Sequence, residues 1–131
     1  MTDQGGRSEL HYAALEGDIE RVRQLLAEGS DPNEADLQGF APLHFAAQSY
    51  KPRVVALLLE SGAEVDHANG FGNSALGLAV FYSEGRAEVI ERLLEAGADP
   101  DRANNAGISP RSLAGQIANY DIEQFFTTEP S

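Results

Sequence analysis

A segment that begins with a turn and continues into a short apolar helix recurs along this chain at a fixed interval. Its most complete copy is Gly39-Phe40-Ala41-Pro42-Leu43-His44-Phe45-Ala46-Ala47. A glycine that accepts positive φ, a proline suited to the first helical turn and a run of apolar residues predict a turn that leads directly into a helix. Leu10, Leu43 and Leu76 hold the same place in three copies and are each 33 residues apart. This interval predicts a stack of repeats.

Each repeat continues into a second helix and a closing loop. Ile19, Val22 and Leu25 fall on one face at helical spacing, which predicts an amphipathic helix. Because a single short helix pair cannot bury its apolar face, neighbouring repeats are expected to stack and share one core. The expected core residues are Leu10, Ala13, Val22, Leu25, Leu26, Leu43, Ala46, Val54, Leu57, Leu58, Leu76, Ala79, Val89, Leu93, Leu94, Leu113, Ile122 and Phe125.

The spacing of the closing glycines locates an insertion in the third repeat. Gly29 and Gly62 are 33 residues apart, whereas Gly97 follows Gly62 by 35 residues. The two additional residues are assigned to the segment between Val80 and Ala87, since the spacing on either side of it is unchanged. A loop between helices absorbs extra length at little entropic cost.

The chain is therefore predicted to be a single all-α domain, residues 1–131, built as a solenoid of about four helix-turn-helix repeats with short hairpin-like loops. The repeats are expected at approximately residues 5–37, 38–70, 71–105 and 106–126. The last unit has no closing glycine loop, so the first and last repeats are expected to cap the ends of the stack.

Charge is the strongest deviation in the composition. Nine Lys and Arg residues against 21 Asp and Glu residues give a net charge of −12. Such a field repels nucleic-acid phosphates and anionic lipid and accelerates encounter with a basic protein; an acidic surface that serves only solubility is the alternative. No apolar run reaches the ~20 residues that span a bilayer, no leader-like segment opens the sequence, and cysteine is absent. These features predict a cytoplasmic protein that binds neither nucleic acid nor membrane.

Residues suited to catalysis or metal binding occur mainly at repeated positions. His11 and His44 are 33 residues apart, which is typical of a structural hydrogen bond and not of a unique catalytic base. Asp31 and Asp66 recur on equivalent loops, where a turn or capping role is expected, and His67 needs further ligands to bind a metal. The sequence contains no cysteine nucleophile, serine-nucleophile motif, phosphate loop or zinc-ligand spacing. We therefore expect no enzymatic activity, no cofactor and no metal.

Two motifs recur in phase in these repeats. Ala41-Pro42-Leu43-His44-Phe45-Ala46-Ala47 and Leu10-His11-Tyr12-Ala13-Ala14 represent the first, and the loops Gly62-Ala63-Glu64-Val65-Asp66 and Gly97-Ala98-Asp99-Pro100-Asp101 represent the second. They resemble the Thr-Pro-Leu-His-x-Ala-Ala and Gly-Ala-Asp-Val-Asn segments of ankyrin-repeat proteins. The resemblance covers roughly residues 5–126 and includes every motif position of the second repeat except the first.

The repeats depart from the ankyrin signature at defined positions. Ser8, Ser74 and Ser109 stand in place of the first threonine and keep a hydroxyl group that can cap the helix, whereas Ala41 loses it. Gly77 replaces the motif histidine in the third repeat.

Two further departures concern charge and turn geometry. Arg111 replaces the motif leucine and is expected at the open end of the stack, because a buried arginine without a partner is costly. Tyr50, followed by Pro52, stands where the first repeat has Gly17, so we expect a differently built turn between the helices of the second repeat.

The resemblance implies a partner-binding surface on the concave side of the stack. In ankyrin-repeat proteins the partner meets the tips of the turns and the exposed positions of each first helix. Several aromatic residues lie at such positions on adjacent repeats, where they either form an interface or pack against neighbouring turns. The residues expected on this surface are Phe40, Gln48, Tyr50, Phe71, Asn73, Phe81, Tyr82, Asn105 and Ile108.

The function implied is non-enzymatic binding of another protein, with a monomer as the expected state unless the aromatic patch self-associates. One specific hypothesis is a small stand-alone bacterial inhibitor or immunity protein that covers a basic partner, with acidic residues around an aromatic centre. The alternatives are an adaptor or scaffold subunit of a larger complex and, from a different class, an enzyme accessory or small-molecule-binding protein. The fold alone does not choose among them.

Overall fold

Seven α-helices and one short 3₁₀ helix follow one another in the computed structural model, which describes residues 2–117 and 123–126. The helices are α1 (Glu9–Glu16), α2 (Ile19–Ala27), α3 (Pro42–Gln48), α4 (Pro52–Glu60), α5 (Ala75–Tyr82), α6 (Glu88–Glu95) and α7 (Pro110–Gln116), with the 3₁₀ helix at Glu123–Phe126. Within the described ranges the only β contact is an isolated antiparallel bridge between Thr2 and Ser8. The prediction of an all-α repeat fold is confirmed.

The helices form two layers. The first helix of each repeat (α1, α3, α5 and α7) packs against the first helix of the next repeat, and the second helices α2, α4 and α6 pack in the same order. Within a repeat, α1 packs against α2, α3 against α4 and α5 against α6. These are the contacts of a linear stack, in which each repeat is stabilised by its immediate neighbours.

The residue at the first motif position fixes the start of each first helix. The hydroxyl oxygens of Ser8, Ser74 and Ser109 accept hydrogen bonds from the backbone N–H three residues later, at 3.4, 3.3 and 3.1 Å. Ala41 makes no such bond. Each bond satisfies one of the backbone donors left free at a helix start. The expected cap in three repeats, and its loss in the second, are therefore confirmed.

A tight turn precedes each of the helices α3, α5 and α7. We call these turns, residues 36–40, 69–73 and 104–108, the fingers. Asp36, Asn69 and Asn104 each accept hydrogen bonds from the backbone N–H groups two and four residues later, at 2.9 to 3.0 Å. A side-chain oxygen in this role closes the turn without further partners. The spacing of these three residues follows that of the repeats, and this is the signal by which the sequence marks them.

Adjacent fingers are joined by backbone hydrogen bonds. The N–H of Gly70 donates to the carbonyl of Gln38 at 2.7 Å, and the N–H of Asn105 donates to the carbonyl of Phe71 at 3.0 Å. The approach is so close that a Cβ atom on Gly39 would lie 2.8 Å from the backbone nitrogen of Gly70. Gly39 also has φ of 84°, so both the contact and the conformation require glycine there.

The core runs through all the repeats. Twelve of the eighteen expected core residues are buried: Leu10, Ala13, Val22, Leu25, Leu43, Ala46, Val54, Leu58, Leu76, Ala79, Val89 and Leu93. Five others are only partly buried and pack against the edge of this cluster: Leu26, Leu57, Leu94, Leu113 and Phe125. Ile122 lies outside the described residues. The prediction of buried residues is thus confirmed at the centre of the core. At its edges, where the second helices and the last repeat meet solvent, the predicted residues are only partly buried.

The turn between α3 and α4 corrects one expectation. Tyr50 has φ of 55°, in the same left-handed region as Gly17 at 75°. The following backbone bonds also correspond, since Asp18 N–H donates to Ala13 O at 3.0 Å and Lys51 N–H donates to Ala46 O at 2.9 Å. The second repeat therefore keeps the turn of the first, and the expectation of a different turn was wrong. A tyrosine holds a conformation that favours glycine.

Asp31 has the expected turn role in its closing loop, whereas Asp66 links its closing loop to the next one. Asp31 accepts the N–H of Asn33 at 2.8 Å, and Asp66 accepts the N–H of Asp99 in the next repeat at 3.0 Å. Arg111, which replaces the motif leucine, is half-buried beside the 3₁₀ helix of the last unit.

Arg111 is not unpaired in this position. Its guanidinium donates to both carboxylate oxygens of Asp101 at 2.8 and 3.3 Å, and it also donates to the carbonyl of Phe126. The hydrogen bonds from Arg111 hold the pKa of the Asp101 carboxyl below its usual range.

Candidate partner-binding surface

The fingers and the first helices together form one side of the stack, which we call the finger-helix surface. Among the residues expected there, Phe71, Phe81 and Tyr82 are 56%, 62% and 43% exposed. Asn105 is also exposed, while Phe40, Gln48, Asn73 and Ile108 are half-buried. Large exposed aromatic side chains are uncommon on a soluble domain and are enriched at interfaces.

The aromatic residues of this surface form two clusters. Phe40 stacks on Phe45 with ring centres 5.4 Å apart, and its edge meets Phe71 at 6.5 Å. Phe81 and Tyr82 form an edge-to-face pair at 4.9 Å. Among the described residues no ring contact joins the two clusters. The first lies on the fingers, and the second lies at the far end of α5.

The helix α5 has no polar face. Its sequence, Ala75-Leu76-Gly77-Leu78-Ala79-Val80-Phe81-Tyr82, carries core residues on one side and exposed rings on the other. At the position of Phe81, α1 has Leu15 and α3 has the polar Gln48. A helix that is apolar all round is normally covered on every side, and α5 is covered on the core side only. Its exposed side is therefore the most distinctive part of the surface.

Tyr50 is separated from both clusters. Its ring packs against the edge of the core, and its hydroxyl oxygen accepts a hydrogen bond from the N–H of Val89 at 3.3 Å. The guanidinium of Arg86 covers one face of the ring. Tyr50 therefore connects the second repeat to the third, and we do not include it in the surface proposed below.

The motif histidines bind the next finger. The Nε2–H of His11 donates to the carbonyl of Phe40 at 2.8 Å, and the Nε2–H of His44 donates to the carbonyls of His67 at 2.9 Å and Asn73 at 3.2 Å. On the other side of its ring, His44 Nδ1 accepts the N–H of Ala41 at 2.9 Å. The structural role expected for these histidines is confirmed.

The third repeat lacks this histidine contact. Gly77 stands at the histidine position and has no side chain to reach the next finger. A hydrogen bond between two side-chain amides joins the repeats here instead, since Asn104 Nδ2 donates to Asn73 Oδ1 at 2.8 Å. The third and fourth repeats are thus linked at the finger end, but the space beside Gly77 is not filled by an imidazole.

A pocket of about 320 Å³ opens on the finger-helix surface beside Gly77. Leu78, Phe81 and Tyr82 of α5 form one wall. Its remaining lining comes from the fourth repeat and from the two bridging amides: Ile108, Leu113, Asn73 and Asn104. No residue of this lining carries a charge, and apolar side chains dominate, as is usual in small binding pockets.

A family model of ankyrin repeats, in three copies, matches residues 10–104 of the sequence. The chain belongs to the ankyrin-repeat family. Ankyrin repeats generally act as non-enzymatic protein-protein interaction modules, and the exposed finger-helix surface described above is available for such a contact.

The relatives of this ankyrin-repeat chain are longer proteins. It is 40% identical to serine/threonine-protein kinase 12 of Arabidopsis thaliana over 77 residues, which are 59% of this chain and 17% of the kinase. It is 43% identical to human ankyrin repeat domain-containing protein 39 over 54 residues, 41% of this chain and 30% of that protein. It is 37% identical to mouse protein phosphatase 1 regulatory subunit 27 over 68 residues, 52% of this chain and 44% of that protein. The chain therefore spans less than half of each of these relatives.

The negative charge of this ankyrin-repeat stack is not centred on the aromatic residues. Its exposed carboxylates concentrate on the second helices and the closing loops, including Glu20, Glu60, Glu64, Glu88, Glu91, Glu95, Asp99 and Asp101. On the finger-helix surface, Arg7 pairs with Asp36 at 3.3 Å and lies over the ring of Phe45 at 5.4 Å. The expected ring of acidic residues around an aromatic centre is thus replaced by a largely uncharged surface within a strongly acidic molecule.

Burial and, as a smaller cause, the charge of the neighbouring His67 lower the pKa of the His44 imidazole to about 4. The lone His67 donates from Nε2 to the carbonyl of Gly39 at 3.1 Å. The described residues contain no group of three or more side chains placed to hold a metal ion. None of the helices in residues 2–117 and 123–126 is long and apolar enough to cross a membrane.

Proposed function

We propose that this ankyrin-repeat chain binds another protein through the finger-helix surface, with Phe71, Phe81 and Tyr82 as anchors. The observation that carries the proposal is the exposed apolar side of α5, which leaves Phe81 and Tyr82 in solvent although five of the other six residues of the helix are buried. Aromatic anchors surrounded by near-neutral contacts are the usual centre of a protein interface. The ordered repeats lose little conformational entropy on binding.

The partner proposed is a basic protein, and the effect proposed is inhibition by covering its surface. The net charge of −12 speeds encounter with a positively charged molecule. The name of one relative, a regulatory subunit of protein phosphatase 1, supports a regulatory role of this kind. We further propose a cytoplasmic monomer of four repeats, at approximately residues 5–37, 38–70, 71–105 and 106–126, since a cysteine-free chain suits a reducing compartment.

The proposal is tested by affinity capture of a partner protein from a lysate, with three versions of the chain as bait. The wild type is compared with a Phe71→Arg, Phe81→Arg variant and with a Ser61→Arg, Ala96→Arg control, which adds the same charge at exposed sites after α4 and α6. We expect one basic protein to be captured at near-equal amounts by the wild type and the control and to be lost with the first variant. The activity of that protein is then assayed with and without the wild type.

Two results contradict the proposal. If both arginine variants capture the same protein as the wild type, the finger-helix surface is not the site. If both lose it equally, the interaction depends on overall charge and not on the aromatic anchors. Circular dichroism of all three baits shows whether each is folded.

A further inference from the structure

The pocket beside Gly77 lies where the repeat pattern changes at three positions. Gly77 replaces the motif histidine, and Asn73 and Leu78 stand where the second repeat has Phe40 and Phe45. His11 and His44 extend from the first helix to the carbonyl of the next finger, and Gly77 leaves this space open in the third repeat. The carbonyl of Ile108 corresponds to those of Phe40 and Asn73, since each accepts the N–H of the Asp or Asn that closes its finger. A histidine at position 77 would therefore approach the carbonyl of Ile108 at the edge of the pocket.

Glycine is not required at this position by the backbone. A Cβ atom on Gly77 would meet only Asn73 Oδ1 at 3.9 Å and Ser74 Oγ at 4.0 Å, which are ordinary contacts. Gly77 lies inside α5 and is not among the glycines with positive φ. Glycine in a helix interior is destabilising relative to alanine. The fold itself therefore gains nothing from this glycine, and the pocket is open on the side of position 77.

The lining of the pocket selects an uncharged group. Leu78, Phe81, Ile108 and Leu113 offer apolar surface, and none of the lining residues carries a carboxylate or a cation. A charged side chain placed there would lose its hydration without gaining a partner. An apolar side chain would gain from burial against these walls. The volume of about 320 Å³ gives room for a large aliphatic or aromatic side chain.

The lining of the pocket contains an amide donor, Asn73 Nδ2, without a protein acceptor in the described part of the chain. Asn73 Oδ1 accepts the N–H of Asn104 at 2.8 Å, but Asn73 Nδ2 has no acceptor among the described residues. A peptide carbonyl next to the inserted side chain would satisfy this donor. The pocket thus offers a mainly apolar site with a hydrogen-bond donor in its lining, which suits an amino-acid residue within a peptide chain.

The charge of the protein outside the pocket favours one kind of partner segment around the inserted residue. The protein carries a net charge of −12, so acidic segments are repelled and basic segments are attracted. We infer that the pocket beside Gly77 is a specificity site that accepts one leucine-like or phenylalanine-like side chain from a lysine- or arginine-rich segment of a partner protein. This inference rests on the proposed function and assigns a definite part of the surface to it.

The first test uses small probes of known structure. N-acetyl-leucinamide and N-acetyl-phenylalaninamide each place an apolar side chain between two peptide groups, while N-acetyl-alaninamide and N-acetyl-lysinamide are the controls. Each is titrated into the isotope-labelled full chain while backbone and methyl NMR shifts are followed. We expect saturable shifts at Leu78, Ile108 and Leu113 for the leucine and phenylalanine probes, with binding at least ~10-fold weaker for the controls.

The matched variants are Gly77→His, which adds a side chain to the lining of the pocket and keeps the aromatic anchors, and Leu37→Ala, which removes an exposed apolar side chain outside the pocket. We expect Gly77→His to abolish the shifts and Leu37→Ala to leave them unchanged. Equal shifts in the wild type and Gly77→His, shifts outside the pocket, equal binding of the lysine probe, or no shifts at all would each overturn the inference. Circular dichroism and a melting curve confirm that Gly77→His is folded.

The affinity of the variants for the partner captured by the wild type distinguishes a failure of this inference from a failure of the proposed function. We expect the Gly77→His variant to bind that partner at least ~10-fold more weakly. If Gly77→His binds it as well as the wild type while Phe71→Arg, Phe81→Arg does not, the pocket inference fails and the proposed function stands. If Phe71→Arg, Phe81→Arg also binds normally, the proposed function fails as well.

Discussion

The guanidinium carbon of Arg86 lies 3.9 Å from the centre of the Tyr50 ring. The same guanidinium donates to the carbonyls of Ser83 at 2.8 Å and Tyr82 at 3.2 Å. Arg86 belongs to the segment that holds the two inserted residues of the third repeat, and Tyr50 holds the left-handed turn of the second. The insertion therefore supplies a cation that covers the tyrosine and caps the end of α5, and both contacts help to offset the backbone strain at Tyr50.

Removal of this cation should destabilise the stack. Arg86→Ala loses the contact with Tyr50 and the hydrogen bonds to the end of α5, and we expect the free energy of unfolding to fall by about 1–2 kcal/mol. Arg53→Ala is the control, because Arg53 is exposed on α4 and makes no hydrogen bond or ion pair with a described residue. Urea unfolding followed by circular dichroism measures both. Equal losses for the two variants would show that the Tyr50 contact contributes nothing.

A missing helix cap offers a stabilising substitution. Ala41 is buried at the position where Ser8 and Ser74 cap their helices, so Ala41→Ser should add the absent hydrogen bond. We expect a gain of about 0.5–1 kcal/mol in the free energy of unfolding and a higher Tm. Ser74→Ala is the reverse experiment and should lose about the same amount. A loss of stability in Ala41→Ser would mean that the second repeat has no room for the hydroxyl.

Acid should weaken the fold through His44. Its pKa is about 4 in the folded chain and about 6.5 when unfolded, so between these values the unfolded chain binds a proton that the folded chain does not. The contribution is complete above pH 6.5 and is lost as the pH falls to 4, by about 3 kcal/mol in total. Denaturant unfolding at a series of pH values measures the slope. His44→Gln, which does not titrate, should flatten the slope over this interval, and an unchanged slope would contradict the assignment.

The ion pair between Arg7 and Asp36 should stabilise the first finger, residues 36–40, so that substitutions of the two residues have non-additive effects on the free energy of unfolding. The Asp36 side chain is almost fully buried, so Arg7→Ala leaves a carboxylate without its cation. We expect a loss of about 2 kcal/mol, because Asp36 keeps its two bonds to backbone N–H groups. Asp36→Asn in the same molecule should recover part of this loss, since Asn69 closes the next finger without an arginine. Strictly additive losses in the double variant would exclude the coupling.

The repeat pattern alone was enough to predict the helices and the centre of the core. Leu10, Leu43 and Leu76 are buried in equivalent places, and the serine caps form where the motif predicts them. These features depend on contacts within one repeat or on the same contact repeated between neighbours. A period in the sequence records such contacts directly, because each repeat meets the same packing requirement.

The candidate surface could be predicted only in part. The positions of Phe71, Phe81 and Tyr82 indicated exposed aromatic residues, and they are exposed. Tyr50 was predicted to lie on the same surface from its position in the repeat. It packs between repeats instead, because its side chain contacts Arg86 and Val89, which come more than 30 residues later. Asn73 is half-buried on the surface where it was expected, but its bond to Asn104 joins two repeats and could not be derived from one repeat alone.

The sequence by itself thus determined the number of residues per repeat, the helices, the caps and the family. Only the tertiary structure decided which irregular residues meet across repeats: Arg86 with Tyr50, Asn73 with Asn104, and Gly77 with an open pocket. The physical reason is that regular positions make the same contact in every repeat, whereas an irregular side chain is placed by whichever neighbours the stack brings to it.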